Sequence, residues 1–366
     1  WCTADLAWVT AHTYEIYGPL VNGVTEVIYE GTPSTPDFGR HFDIIERYGV
    51  TTYYTAPTLI RSLMGAFPKG LPKVWNLSSI RLLGTVGESI NPEAWRWLRE
   101  QVGRGEVPFV DTWWQSETGS CVASPRPHDP QFAPSGTFPE GTPHTAAKPG
   151  CAVRPVPGVS TRVVDAAGEE VAAGEQGLVV VDAIGPSMAR TVWGDPQRYL
   201  SSYWADFGER GWFLAGDGAR LDEEGDLYIL GRVDDVINIS GHRLSTIEIE
   251  SALVTHPLVV EAGTAPVADA LTGHAVLACV VLTSEGRALP EAEVRETLRA
   301  HVAQEIGPIA KPREVIPVPD LPKTRSGKIT RRLLAQLYEG RPLGDRSSLQ
   351  NEGSLEAIEQ IFSARG

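Results

Sequence analysis

Short β-branched and aromatic runs alternate with stretches of helical spacing over the first third of the chain. Val50-Thr51-Thr52-Tyr53-Tyr54 reads as a strand and Pro57 to Met64 as a helix. Ile80 to Val86 reads as a second, buried strand ending at Gly87. Asn91-Pro92-Glu93 supplies a cap and a first-turn proline for a helix that carries Trp95, Trp97 and Leu98. Val107 to Trp113 is a third strand. Such alternation predicts a parallel α/β sheet, with ligands at the carboxyl ends of its strands. Gly87-Glu88 and Asp111 to Trp114 fall at such ends.

The pattern loosens between Pro125 and Pro157, where proline, glycine, serine and threonine predict mostly loop. β-type segments follow at Gln176 to Asp182 and Trp212 to Leu214, with a helix from Pro196 to Trp204. A hairpin at Glu223 to Asp226 leads into a strand at Leu227 to Leu230. After Gly231 to Asp235 the pattern changes. A strand (Val236 to Ile239), a helix (Thr246 to Val254), two strands (Val259 to Val267, Ala275 to Leu282) and a helix (Glu291 to Gln304) predict a compact α+β unit. The expected domains are residues 1–233, residues 234–340 and a polar extension over 341–366, with one short helix near Leu355 to Phe362.

Composition narrows the function. A formal charge of −14 and a pI near 5.1 argue against nonspecific nucleic-acid binding, which needs a basic surface. No run of about 18 apolar residues could span a bilayer. The four cysteines form no metal-binding spacing, and a reducing cytoplasm is the expected compartment. The first residue is Trp1, inside what reads as a structured segment, so the chain is expected to be a piece of a longer protein.

Any polyphosphate ligand must be held by a few local cations against the acidic field. Lys328, on the turn Thr324-Arg325-Ser326-Gly327-Lys328, is one of six lysines. Alone it reads as a solvated charge. Asp111-Thr112-Trp113-Trp114-Gln115-Ser116-Glu117 sets two indoles, an amide and two carboxylates between a strand and a glycine. If the strand continues, the tryptophans face opposite ways, one toward a base and the other toward a small apolar pocket. Glu117 could hold Mg²⁺ through hard oxygen contacts; two core tryptophans in a turn is the plain alternative. Asp217 lies on a glycine turn after an apolar strand, suited to ribose hydroxyls or to a structural Asx turn. Arg232 and Arg243 can grip phosphate, or form surface ion pairs.

Together these residues offer a base stack, a ribose acceptor, phosphate donors and a lysine. The chain resembles the adenylate-forming (AMP-binding) enzymes, and among them the acetate–CoA ligases. The resemblance rests on Trp1 to Asp5, Tyr17 to Leu20, Asp111 to Gly119, Gly231 to Leu244, Glu305 to Pro308 and Pro322 to Ile329. It implies the C-terminal portion of a large α/β domain with a β-barrel-like part, followed by a small mobile α+β domain. Gly87, Glu88, Asp111, Thr112 and Trp113 would line the adenine site, Ser89 and Trp114 would also belong to the ATP/AMP site, Gln115 and Ser116 would lie near ribose and phosphate, and Asp217 would take the ribose hydroxyls. Arg232 and Arg243 would meet phosphate, and Lys328 would bridge the carboxylate and α-phosphate oxygens. Asp234 would be a hinge. Val9, Thr10, Val86 and Trp114 would bound the acyl pocket, and Thr10, Ser240 and Gly241 would lie along the CoA path. Carbonyls of Val254, His256 and Val259 would match a cation loop, although His256 before Pro257 also reads as a helix-terminal residue.

The implied activity is two-step. Acetate and ATP give acetyl-adenylate, and CoA then gives acetyl-CoA and AMP, with Mg²⁺ as cofactor. A lysine acetyltransferase and deacetylase acting on Lys328 are implied partners, since acetylation removes its charge. No Gly-rich phosphate loop occurs in the chain, so these residues alone are expected to make adenylate poorly. Ala303 and Ser34 depart from residues that help hold CoA in the family. The rivals are a propionate ligase, acyl transfer to a carrier protein, and a non-catalytic AMP-binding fragment.

Overall fold

In a computed structural model of the chain, the described residues are 1–32, 35–125, 147–183, 185–233, 236–239, 242–270, 272–324, 328–344, 346 and 349–365; the side chains at 236, 238, 242 and 243 fall outside that description. The chain divides into two compact units, Trp1–Ile229 and Leu230–Gly366.

The first unit opens with a helical segment over residues 9–21 that widens into π turns at His12–Tyr17. Helix α1 (Arg40–Tyr48) follows and ends on Gly49, whose left-handed conformation (φ +59°) suits a side chain without Cβ. Next come β1 (Thr52–Thr55), α2 (Pro57–Ala66), β2 (Leu82–Thr85), α3 (Pro92–Gln101) and β3 (Phe109–Asp111). Asn91 caps α3 as expected, its side chain accepting the Ala94 N–H at 2.8 Å. The three strands form a parallel sheet in the order β1-β2-β3.

Strand alternation sends Tyr53, Leu83 and Phe109 toward one face, where Phe42, Ile45, Ile60, Leu63 and Leu98 from the helices complete a core. On the other face Tyr54, Leu82, Gly84, Val110 and Thr112 line a cavity of 820 Å³. A second sheet has the order β4 (Ser160–Val164), β5 (Gln176–Ala183), β6 (Phe213–Leu221) and β7 (Leu227–Arg232), with β4–β5 and β5–β6 antiparallel. Helix α4 (Pro196–Tyr203) precedes β6.

The second unit is built on a five-stranded sheet. Its strands are β8 (Val236–Ile239), β9 (His242–Ser245), β10 (Val259–Asp269), β11 (Gly273–Leu282) and β12 (Glu314–Pro317), ordered β10-β11-β8-β9 with β12 also on β11. From Ala275 to Leu282 strand β11 is an unbroken apolar run, with both its faces covered. Val276, Ala278 and Val280 meet α5 (Thr246–Thr255) and α6 (Glu291–Glu305) in one core. Leu277 and Cys279 meet α7 (Arg331–Tyr338) and α8 (Glu352–Ser363) in another, through Leu334 and Ile358. The extension expected over residues 341–366 therefore contributes buried side chains to this unit: Leu349, Leu355 and Ile358. Among the described residues no helix is long and apolar enough to cross a membrane.

Candidate functional site

The carboxyl ends of β2 and β3 gather most of the expected first-unit residues. Gly87 follows β2 with φ +100°, and a Cβ there would come within 2.8 Å of the Trp8 ring. An indole from another segment thus stands against the backbone at Gly87. Glu88 accepts from Thr58 Oγ1 at 2.5 Å and pairs with Arg61 at 2.8 Å. The Ser89 hydroxyl donates to the Ile229 carbonyl at 2.9 Å.

At the end of β3, Asp111 is buried and accepts from Thr85 Oγ1 at 2.9 Å; burial pushes its carboxyl up to about 7. Thr112 Oγ1 donates to the Thr85 carbonyl at 2.7 Å. The two tryptophans enter different clusters. Trp113 packs with Ala123, Val179, Phe213 and Ala215, and its Nε1 donates to Asp217 Oδ2 at 3.0 Å. Trp114 touches that cluster too, but also joins Val86, Cys2 and Tyr54, standing edge-on to Tyr14 with centroids 5.3 Å apart.

Gln115 closes the arrangement, its Nε2 donating to Asp217 Oδ2 at 2.6 Å and to the Ala215 carbonyl at 2.7 Å. One carboxylate therefore draws together residues more than a hundred positions apart. Asp217 itself lies inside β6 rather than on a turn after it. Strand β6 continues to Leu221, and Gly216 (φ +70°) makes an irregularity within it instead of ending it. Ser116 is exposed, and Glu117 accepts a short hydrogen bond from the Tyr203 hydroxyl.

Thr10 is fully buried, and its Oγ1 has no hydrogen-bond partner among the described residues. Val9, beside it, is half-buried. Asp222, Glu224 and Asp226 come close enough together to share a cation, and the Lys148 ammonium lies among them at 2.6, 2.7 and 2.8 Å.

In the second unit Lys328 is half-buried at the foot of its turn. Its N–H donates to Thr324 Oγ1 at 3.2 Å, and its carbonyl accepts the Thr324 N–H at 2.9 Å. The neighbouring Lys323 is committed to Glu261 and Asp320, at 2.7 and 3.0 Å. Arg232 is half-buried at the end of β7, and the Arg243 backbone lies in β9. The His256 carbonyl accepts the Val259 N–H at 3.0 Å, and its ring faces His301 at 5.0 Å. That geometry accounts for a turn after α5, where Val254 is half-buried and Val259 starts β10. Asp234, Ser240, Gly241 and Ser34 lie outside the described residues.

Sequence reasoning passed over Trp8, Tyr203, Thr58 and Arg61. Trp8 carried a signal, an indole beside the expected pocket residues Val9 and Thr10; the others reach the site only through the fold.

The description of AMP-binding enzymes fits residues 1–193, and that of the AMP-binding enzyme C-terminal domain fits residues 248–328. The chain belongs to the AMP-binding enzyme family. An acetyl-coenzyme A synthetase of Mycolicibacterium smegmatis is 54% identical over 364 residues, covering 98% of this chain and 37% of that protein. Acetyl-coenzyme A synthetases of Mycobacterium tuberculosis and Streptomyces avermitilis are 53% and 50% identical, over 98% and 100% of this chain and 53% of each relative. The chain thus spans about half the length, or less, of these curated relatives.

Among solved structures, an anthranilate CoA ligase in complex with anthranoyl-AMP superposes with a TM-score of 0.74 at 24% identity, covering 92% of this chain and 59% of that one. A benzoate CoA ligase from Burkholderia xenovorans gives 0.72 at 26% identity, over 91% and 60%. The fold is that of the adenylate-forming enzymes, as the sequence predicts.

Proposed function

We propose that this chain carries the chemistry of an AMP-forming acetate–CoA ligase. In the first step an acetate oxygen attacks the α-phosphorus of ATP, and pyrophosphate leaves with the electrons of the broken P–O bond. In the second, the CoA thiol gives up its proton and attacks the acetyl carbon, and AMP leaves. The observation that best supports the reading is the pair of donors, Trp113 and Gln115, gathered on Asp217 beside the ends of parallel strands. Such a carboxylate is placed to accept ribose hydroxyls.

On this reading Gly87, Glu88, Asp111, Thr112 and Trp113 surround the adenine, with Ser89 also in the nucleotide site and Gln115 and Ser116 toward ribose and phosphate. Arg232 and Arg243 meet phosphate through their forked donors. Lys328 supplies a cation where charge develops in the first step. Trp114, Val86, Val9 and Thr10 bound the acetyl pocket, and the unpartnered Thr10 Oγ1 is a buried polar atom that a bound acyl or thiol group would satisfy. Ser240 and Gly241 border the CoA path, and Asp234 is the hinge between the two half-reactions.

Magnesium takes hard oxygen ligands and keeps several waters, so the single Glu117 carboxylate fits it; the ion would screen the pyrophosphate. The neutral carbonyls of Val254, His256 and Val259 suit only a weakly held cation. A cytoplasmic setting fits four free thiols, and an acetyltransferase and deacetylase pair would switch Lys328 by removing and restoring its charge.

Acetate- and propionate-dependent exchange of pyrophosphate into ATP tests the reading, with residues 1–366 alone and within a polypeptide of the relatives' full length. Trp114→Gly should move preference toward longer acids, by about 10- to 200-fold per methylene. An unchanged chain-length profile removes Trp114 from the pocket. Absence of any short-acid-dependent exchange in the full-length polypeptide defeats the proposal.

A further inference from the structure

The turn that carries Lys328 is held by the C-terminal segment. Residues 323–324 pair on one side with 328–329 and on the other with 349–350, through bridges Lys323–Ile329 and Thr324–Leu349. The Gln350 N–H donates to the Lys323 carbonyl at 2.9 Å. At the foot of the turn, the Thr330 N–H and hydroxyl both donate to the Pro322 carbonyl, at 2.8 and 3.0 Å.

Asn351 uses its side chain unusually. It occupies the N-cap of α8, where an asparagine oxygen ordinarily accepts an N–H of its own helix. No such bond forms. Instead Oδ1 accepts the Lys323 N–H at 2.9 Å, while Nδ2 donates to Asp320 Oδ2 at 2.6 Å and to the Leu321 carbonyl at 2.8 Å. Three bonds thus fix the strand that pairs with Lys328. Asn351 is held from behind, because Leu355 and Ile358 of α8 are buried and its carbonyl accepts from Ser354 N–H and Oγ at 2.9 and 2.8 Å.

We propose that Asn351 is a positioning residue for Lys328, acting through Lys323 and the ribbon of residues 320–324, 328–330 and 349–351. The proposal rests on the ligase reading for its catalytic consequence, but not for the latch itself. Only the half-reaction that uses the Lys328 ammonium depends on where the turn sits. A misplacement of about 1 Å costs up to about a hundredfold in rate. Asn351→Ala should therefore lower acetate-dependent pyrophosphate exchange by about 10- to 100-fold. Thioester formation from supplied acetyl-adenylate should keep its rate.

The test uses Asn351→Ala and Asn351→Asp, the second keeping an acceptor for the Lys323 N–H while losing both Nδ2 donations. Both half-reactions are followed, together with amide hydrogen exchange at Lys323 and across residues 328–330. The expected result is faster amide exchange and loss of the first half-reaction alone in both variants, with the Lys323 amide better protected in Asn351→Asp than in Asn351→Ala. Unchanged amide protection overturns the latch. Equal loss of both half-reactions, or an undiminished first half-reaction despite faster amide exchange, overturns the positioning role. If the unsubstituted full-length polypeptide shows no acetate-dependent exchange, the ligase reading fails separately, and amide protection alone decides the latch.

Discussion

Replacing Arg331 by alanine should be the most damaging single change in the second unit. Arg331 starts α7, and its guanidinium meets Glu250 of α5 through two bonds of 2.7 Å, both side chains being nearly shut off from solvent (4% and 11% exposed). Glu250 also accepts the Thr264 N–H at 2.8 Å, so it ties together two helices and β10. Alanine leaves that carboxylate buried without its cation. Breaking one partner of a buried pair costs about 3–5 kcal/mol, whereas replacing both by apolar groups is often neutral. With a urea slope of about 2 kcal/mol per M, the midpoint should fall by about 1.5–2.5 M. All ten tryptophans precede Leu230, so indole fluorescence reports on the first unit alone. The assay is therefore urea unfolding followed by amide exchange in residues 246–264 and 331–338, with fluorescence as an internal control. Arg331→Met combined with Glu250→Gln, which removes the buried charge and keeps an acceptor for the Thr264 N–H, should recover part of the loss. A shift below about 0.5 M for Arg331→Ala, or a double variant as unstable as the single one, refutes the reasoning.

Two further changes probe the first unit. Burial raises the Asp111 carboxyl from 3.8 to about 7, so the folded state keeps a proton that the unfolded chain releases between those values. Its contribution to stability falls as pH rises through that window and is flat on either side. At about 1.4 kcal/mol per unit the difference reaches about 4 kcal/mol, so Asp111→Asn should gain on the unsubstituted protein between pH 4 and 8 in fluorescence-detected unfolding; identical pH slopes contradict this. Lys148→Met should destabilise the β6–β7 hairpin by about 3 kcal/mol, because among the described residues the fully buried Asp226 would keep only the Arg154 ion pair, at 3.3 Å. An unchanged fluorescence midpoint would show that the Lys148 cluster is merely a solvated ion pair.

The parallel strands are legible in the sequence because β-branched and aromatic runs stand between glycine and proline punctuation. Helix α1 is marked by Phe42, Ile45 and Gly49, yet its nine residues are easily passed over beside the stronger strand that follows. Strands β9 and β12 are only four residues each, too short for a period to show. Helix α8 reads as polar because few of its residues are buried: Ile358 lies against the second face of the β10–β11 sheet, and Leu355 against Leu333 and Leu349. At the site, Trp113, Trp114, Gln115 and Asp217 are legible as unusual side chains at predicted strand ends. The joining of Trp113 and Gln115 on the Asp217 carboxylate is not, since it depends on β6 passing the end of β3. Gly216 reads as the end of a strand because positive φ favours glycine in turns and in bulges alike.

The central claim is that the Lys328 ammonium serves adenylate formation and not thioester formation. Lys328→Ala, placed in a polypeptide of the relatives' full length, should nearly abolish acetate-dependent exchange of pyrophosphate into ATP. It should leave acetyl-CoA formation from supplied acetyl-adenylate at close to its original rate. Equal loss in both measurements, or in neither, would contradict the account.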